Sequence, residues 1–197
     1  MSAAFLSGVI AGYGIAVPVG AIGVLIAGLS ARVSLRVGAA AGLGAATADG
    51  VYALLAVAGG AAVAAVVAPI AVPLRWLGAA ILLVLAARTA WGAFRPVTER
   101  DERPVSASRA YTAILGLTLL NPATVLYFAA LVLTGDHAGA GGIWFVTGAF
   151  LASASWQLLI AGGGSLIGRT LTGPRGRTVT ALLSATVIAV LAVRLLT

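Results

Sequence analysis

The sequence predicts an all-α integral membrane protein: six transmembrane helices as two inverted three-helix repeats, with proline-broken spans 1 and 4. Three observations lead there. The first is composition. Of 197 residues, 61% are hydrophobic and 9% charged, with a mean hydropathy of +1.10, whereas an average soluble domain carries about 25% charged residues. The second is a series of long apolar runs separated by loops that alternate in charge. The third is a weak likeness between the two halves of the chain. The 26 glycines belong to the same picture, because glycine is commoner in transmembrane helices than in soluble ones.

A helix needs about 20 apolar residues to cross the hydrocarbon core. Six runs reach that length: residues 4–29, 38–67, 72–94, 110–133, 142–167 and 178–196. Arg32 and Arg36 separate the first two, Arg95, Arg100, Arg103 and Arg109 fall between the third and fourth, and Arg169, Arg175 and Arg177 between the last two. The other connections hold only Arg75 at one edge, and Asp136 with His137. Because basic loops stay on the cytoplasmic side, the three arginine loops are expected inside and both termini outside a bacterial-type plasma membrane. No basic residue precedes the first run, which fits that orientation and argues against a signal peptide with a positive n-region. Trp76, Trp91 and Trp144 lie near span ends and read as interfacial anchors. Residues 1–94 are thus the first three-helix repeat, 95–109 a cytoplasmic linker and 110–197 the second repeat, all in one membrane domain.

The halves align at an offset of 104 to 106 residues. Gly12 and Pro18 fall on Gly116 and Pro122, residues 42–45 on 148–151, Asp49 on Ser155, and residues 85–88 on 191–194. With three spans each, an odd number, the second half must lie upside-down relative to the first. Inverted repeats with a broken helix at matching places are a recurring plan of secondary transporters.

Composition also excludes. The formal charge of +7 and pI near 11.3 would suit a nucleic-acid binder only if a soluble basic face existed; the arginines are confined to short loops and report topology, so no nucleic-acid partner is expected. Without cysteine there is no disulfide, thiolate metal site or thiol relay. A single histidine builds no histidine-cluster metal site. No cofactor is expected, and no enzyme: Asp49 is the sole intramembrane acid, so paired-aspartate chemistry is ruled out. The bilayer and a small-molecule substrate are the expected partners, with a homodimer as a further option, since an exposed small-residue helix face can mediate one.

Asp49 carries the functional reading. No other residue between positions 37 and 74 is charged. It lies 11 residues into the second run, about 16 Å along a helix and so near the middle of a ~30 Å core. An ionised carboxyl there costs several kcal/mol, and chains retain one mainly to handle an ion or polar solute. Gly38, Gly42, Ala45, Ala46, Ala53 and Ala56 surround its face at helical steps, so it should point into the bundle; Arg88 is the one intramembrane partner that a purely structural ion pair would use. Tyr52 shares the Asp49 face. Pro18 and Pro122 each remove a helix hydrogen bond, and Gly20 is among the glycines that let the chain unwind at the first break. Asn121 offers an amide to freed backbone groups or a solute, and Gln157 is the most polar group of the fifth span. The candidate substrate- or proton-binding set is therefore Asp49, Asn121, Tyr52, Pro18, Gly20, Pro122 and Gln157. Tyr13, Thr47, Thr124, Tyr127, Ser153 and Ser155 are lesser polar candidates, because hydroxyls in such spans often bond only their own backbone.

Three stretches of this chain, taken in order, resemble the LysE (lysine exporter) superfamily, including its homoserine/threonine resistance branch. Val17-Pro18-Val19-Gly20-Ala21 is similar to the family's Pro-x-Gly-Pro, with Ala21 in place of the second proline. Gly42-x-Gly44 followed by Asp49 and Tyr52 resembles the second-span motif with its acidic residue. Leu120-Asn121-Pro122-Ala123 resembles the Asn-Pro-Lys motif, with Ala123 where the family has lysine. The resemblance implies gradient-driven export of amino acids or related small metabolites. The missing lysine removes a positive group for a substrate carboxylate or for the aspartate. The alternatives are an exporter of a metal or other cation, for which one carboxylate and scattered hydroxyls are few ligands, and a non-transporting membrane subunit.

Overall fold

Backbone that crosses hydrocarbon must satisfy its own N–H and C=O groups, and a helix does so within one segment. The computed structural model describes residues 2–18, 20–94, 105–121, 124, 127, 141–170 and 174–194, and among these there is no strand. Its helices are α1 (Ser2–Ala16), α2 (Ala21–Arg32), α3 (Leu35–Val67), α4 (Ala71–Phe94), α5 (Ala107–Leu119), α6 (Gly142–Thr170) and α7 (Pro174–Arg194), with one 3₁₀ turn (Ala68–Ile70) leading into α4. The expected linker falls largely on residues 95–104, outside the described residues, as do Pro122, Ala123 and His137. Beyond that linker Ser106 caps α5, its Oγ accepting from the Arg109 N–H at 3.2 Å.

Among the described residues three stretches are long and apolar enough to cross a membrane: Leu35–Gly59, Ala68–Trp91 and Gly142–Gly168. The pair α1 and α2 makes a fourth if the two count as one broken span, bent by 79° where the chain carries Pro18 and Gly20. Gly20 stands at the start of α2 in extended backbone, and Val24 N–H bonds its carbonyl at 3.2 Å. The run expected over residues 38–67 is interrupted at Gly59, where α3 kinks. Of the run expected over 110–133, only the 13-residue α5 and a few following residues are described. In α7 the apolar stretch is the shorter Leu182–Arg194.

α6 lies at the centre and packs on α1, α2 and α3; α3 also packs on α5 and α2, and α4 on α7. Small residues permit this. A Cβ on Gly148 of α6 would collide with the Phe5 carbonyl and press on Val9, and one on Gly44 of α3 would do the same to Tyr111 and Leu115. The two contacts correspond residue for residue across the halves, at 104 for the glycines and 106 for what they touch. An alignment on these contacts, at 104 residues, sets Asp49 opposite Ser153, and the offset of 106 sets it opposite Ser155. Further along α6, Gly164 and Gly168 meet the backbone at Ala27 and Ala31 of α2.

Buried apolar side chains fall into two clusters. One gathers Leu25, Ile26, Ala45, Leu82, Ile114 and Ile188; the other holds Ala11, Tyr52, Ala53, Phe145 and Ala149. The outside is apolar too. Trp76 (58% exposed), Trp91 (68%) and Leu159 (65%) face outward, as a lipid-facing surface does and a soluble monomer's does not.

Valine at Gly44 or Gly148 forces a side chain into backbone, and overpacking of this kind costs about 1–3 kcal/mol. Both variants should lower the thermal unfolding midpoint in detergent by similar amounts. Gly163→Val, where a Cβ meets nothing within 4 Å, should leave the midpoint near the wild-type value.

Candidate functional site: a cavity around Asp49

The face of α3 around Asp49 is nearly bare. Ala45, Ala46, Ala53 and Ala56 are all buried, and their methyl groups leave neighbouring helices close enough to shut the carboxyl inside. Asp49 itself is 4% exposed, so it points into the bundle. Ser153 of α6, completely buried, donates to Asp49 Oδ2 at 2.6 Å. One turn on, Gln157 is 7% exposed, and its Oε1 has no hydrogen-bond partner among the described residues. Gly42 is why Gln157 fits there: a Cβ at that position would press on the glutamine's own Cβ and carbonyl.

Ala45, Asp49 and Gln157 line a cavity of about 340 Å³ that also reaches Pro18 and Gly20 at the first helix break, and Thr118 and Asn121 at the end of α5. The size is that of a small-molecule site, about 300–1,000 Å³. Its walls are mixed in the way such sites are, with Ile22, Leu82 and Leu117 between the polar groups. Thr118 is satisfied by its own helix, donating to the Ile114 carbonyl at 2.8 Å.

Of the residues singled out from sequence, Asp49, Asn121, Pro18, Gly20 and Gln157 come together on this one cavity. Tyr52 stands beside it. Its hydroxyl donates to the carbonyl of Leu119, the last residue of α5, where carbonyls lack a partner within the helix. Tyr52 thus ties α3 to the end of α5 just before Asn121. Pro122 lies outside the described residues. Tyr13 and Ser155 bond each other at 2.8 Å, and Tyr111 donates to Thr47 at 3.0 Å, both away from the cavity lining. Arg88, the structural partner considered for Asp49, is exposed, and the hydrogen bond to Asp49 comes from Ser153 instead. Arg194 near the end of α7 lines the cavity. Sequence reasoning met Arg194 only as the repeat counterpart of Arg88; its isolation in an apolar helix was the available signal. Among the described residues no three His, Cys, Asp or Glu side chains come together as a metal site would require.

The pattern characteristic of the LysE type translocator matches residues 14–197, nearly the whole chain and every group named at the cavity. The chain belongs to the LysE type translocator family. Among curated proteins and solved structures, none matches it. Members of the LysE family are membrane exporters rather than enzymes, and the apolar helices described above are those of a multi-pass membrane protein.

Removing the hydroxyl in Ser153→Ala leaves the Asp49 carboxyl without its donor, a loss of about 1–3 kcal/mol for a buried group. Thermal unfolding of the single and double variants with Asp49→Asn should give a non-additive cycle, since contacting residues couple; additivity would mean that the two side chains do not interact.

Proposed function

We propose that this LysE family protein exports amino acids or closely related small metabolites by alternating access, with Asp49 as the group that couples transport to the gradient. The observation that carries this reading is the cavity. A lone intramembrane acid, an orphaned glutamine oxygen and a helix break border one space of small-molecule size. The substrate would lie between the break at Pro18 and the one that the sequence predicts at Pro122, held by Asn121, Gln157 and freed backbone, with Tyr52 setting the end of α5. The motifs at residues 17–21, 42–52 and 120–123 support kinship with the homoserine/threonine resistance branch.

Six spans in two inverted repeats belong to the same proposal. What supports them is the matched pair of glycine contacts, Gly44 on α5 and Gly148 on α1, together with the arginine loops at alternate connections. In that arrangement both termini are extracytoplasmic, the membrane is the plasma membrane, and the two repeats rock about the contact of α3 with α6.

The energetics are sufficient. One proton moving down ~100 mV yields about 2.3 kcal/mol, and half a pH unit adds about 0.7 kcal/mol. Together, near 3 kcal/mol holds a neutral solute at a gradient of roughly a hundredfold. In proteoliposomes, Asp49→Asn should fold and insert as the wild type does yet lose gradient-driven amino-acid export and its dependence on an imposed pH difference. Wild-type export rates in that variant would remove Asp49 from the mechanism.

A further inference from the structure

The crossing of α5 on α3 and that of α1 on α6 share one register. Both pairs run parallel: Gly44 lies against Tyr111 and Leu115 and Tyr52 reaches Leu119, while Gly8 lies against Phe145 and Gly12 against Ala149 and Ala152. Eight residues past each crossing glycine stands an aromatic side chain with a single hydrogen-bonding group, Tyr52 after Gly44 and Trp156 after Gly148. Tyr52 has made its contact, the hydroxyl donating to the carbonyl of Leu119 at the end of α5. Trp156 has not. Its Nε1 is buried and meets no acceptor among the described residues, although the N–H of a buried tryptophan usually finds a partner.

The acceptors it lacks are close by in the fold. Trp156 follows Ala152 by four residues and Ala149 by seven, and both of those meet Gly12, so it shares the face of α6 that is turned to α1. The parallel register carries it to the level of Ala16, where α1 ends. Carbonyls in a last turn are short of donors, and Pro18 brings no N–H to that of Gly14. The Tyr13 carbonyl, which matches that of Leu119 at the offset of 106, accepts from Val17 at 2.9 Å.

We infer that Tyr52 and Trp156 are the two latches of one switch, one made and one open in this structure. In the conformation that faces the other side of the membrane, the Trp156 N–H takes a carbonyl in the last turn of α1 and Tyr52 releases Leu119. This inference rests on the proposed inverted repeats and alternating access, and it names the contacts by which the two states differ. A buried donor without an acceptor raises the free energy of the state that contains it. Each state then has one bond made and one polar group left over, so neither is favoured outright. A central site that opens to both sides needs such a balance, since the populations follow the difference between the states.

Sided labelling tests this. The chain has no cysteine, so Ile22→Cys puts a single thiol in the cavity lining. In proteoliposomes of known orientation, the ratio of its labelling rates by an impermeant maleimide from the two sides reports the two populations. Tyr52→Phe, which loses the latch that is made, should shift that ratio about 2- to 10-fold, the worth of one hydrogen bond. Trp156→Phe, which keeps a ring but no N–H, should shift it by a similar factor in the opposite direction, and the double variant should lie near the starting ratio. Benzothienylalanine at position 156 keeps both rings and replaces the N–H by sulfur; it should act as phenylalanine does, and it serves if phenylalanine prevents insertion. Shifts in the same direction from the two latches, or no shift on loss of the N–H at 156 even with a lowered unfolding midpoint, would overturn the inference and leave alternating access standing. Labelling from one side only in every variant would overturn the alternating-access reading and this inference with it.

Discussion

Asp49 and Ser153 can meet only because α3 and α6 carry so little where they cross. Alanine at 45, 46, 53 and 56 on one helix, and at 149, 152 and 154 on the other, are all buried at this contact and its borders. Helices in a bilayer gain little from hiding apolar surface from lipid, so close packing of small residues and hydrogen bonds between helices must hold them. The bond from Ser153 to Asp49 is the polar element of that contact, and its position decides the rest. With it in place, Gln157 falls one turn away on the same face of α6, α1 and α5 seat on Gly148 and Gly44, and the cavity is left beside the carboxyl.

The acid also sits at a boundary. Ala45, one turn before it, belongs to the apolar cluster built with Leu82, Ile114 and Ile188, whereas Tyr52 and Ala53, one turn after it, belong to the cluster around Phe145 and Ala149. The polar groups thus form a thin layer between two separate apolar masses. A continuous core would resist opening as one unit, because close-packed interiors do not deform gradually. Two masses joined through a thin polar layer can open in turn, first on one side and then on the other, which is what alternating exposure of a central site requires.

What the sequence made legible follows from scarcity. One acid in a long uncharged stretch, one glutamine in the fifth run and a proline among glycines are each conspicuous against leucine and alanine, and Asp49, Gln157, Pro18 and Gly20 do border one space. Ser153 was less legible: three serine or glutamine side chains follow each other at 153, 155 and 157 on α6, and only the packing of α3 decides which one meets Asp49. Glycine-rich segments align almost equally well two residues apart, so repeat offsets of 104 and 106 set Ser153 or Ser155 opposite Asp49, and the hydrogen bond singles out Ser153 as its partner. Tyr52 shows the limit of face arguments. It does share the Asp49 face, but its long side chain reaches past the cavity to the end of α5. Arg194 was hidden by its place near the chain end, where an arginine ordinarily means a helix emerging into water.

The identity of the partner of Asp49 matters for the mechanism in a way that its mere presence does not. A lysine or arginine bonded to a buried carboxylate holds it in one state, since protonating the acid would strand a buried cation. Serine imposes no such choice. Its hydroxyl both donates and accepts, so it can give its proton to a carboxylate or receive one from a carboxylic acid without moving from its place. Ser153 is therefore able to keep α3 and α6 in contact through both protonation states of Asp49, with the hydroxyl rotating rather than the helices separating. Arg194, which also lines the cavity, stands on α7 at an exposed position. In the coupling role proposed for Asp49, a partner that tolerates both states lets the carboxyl take up and release a proton while the contact between α3 and α6 stays closed.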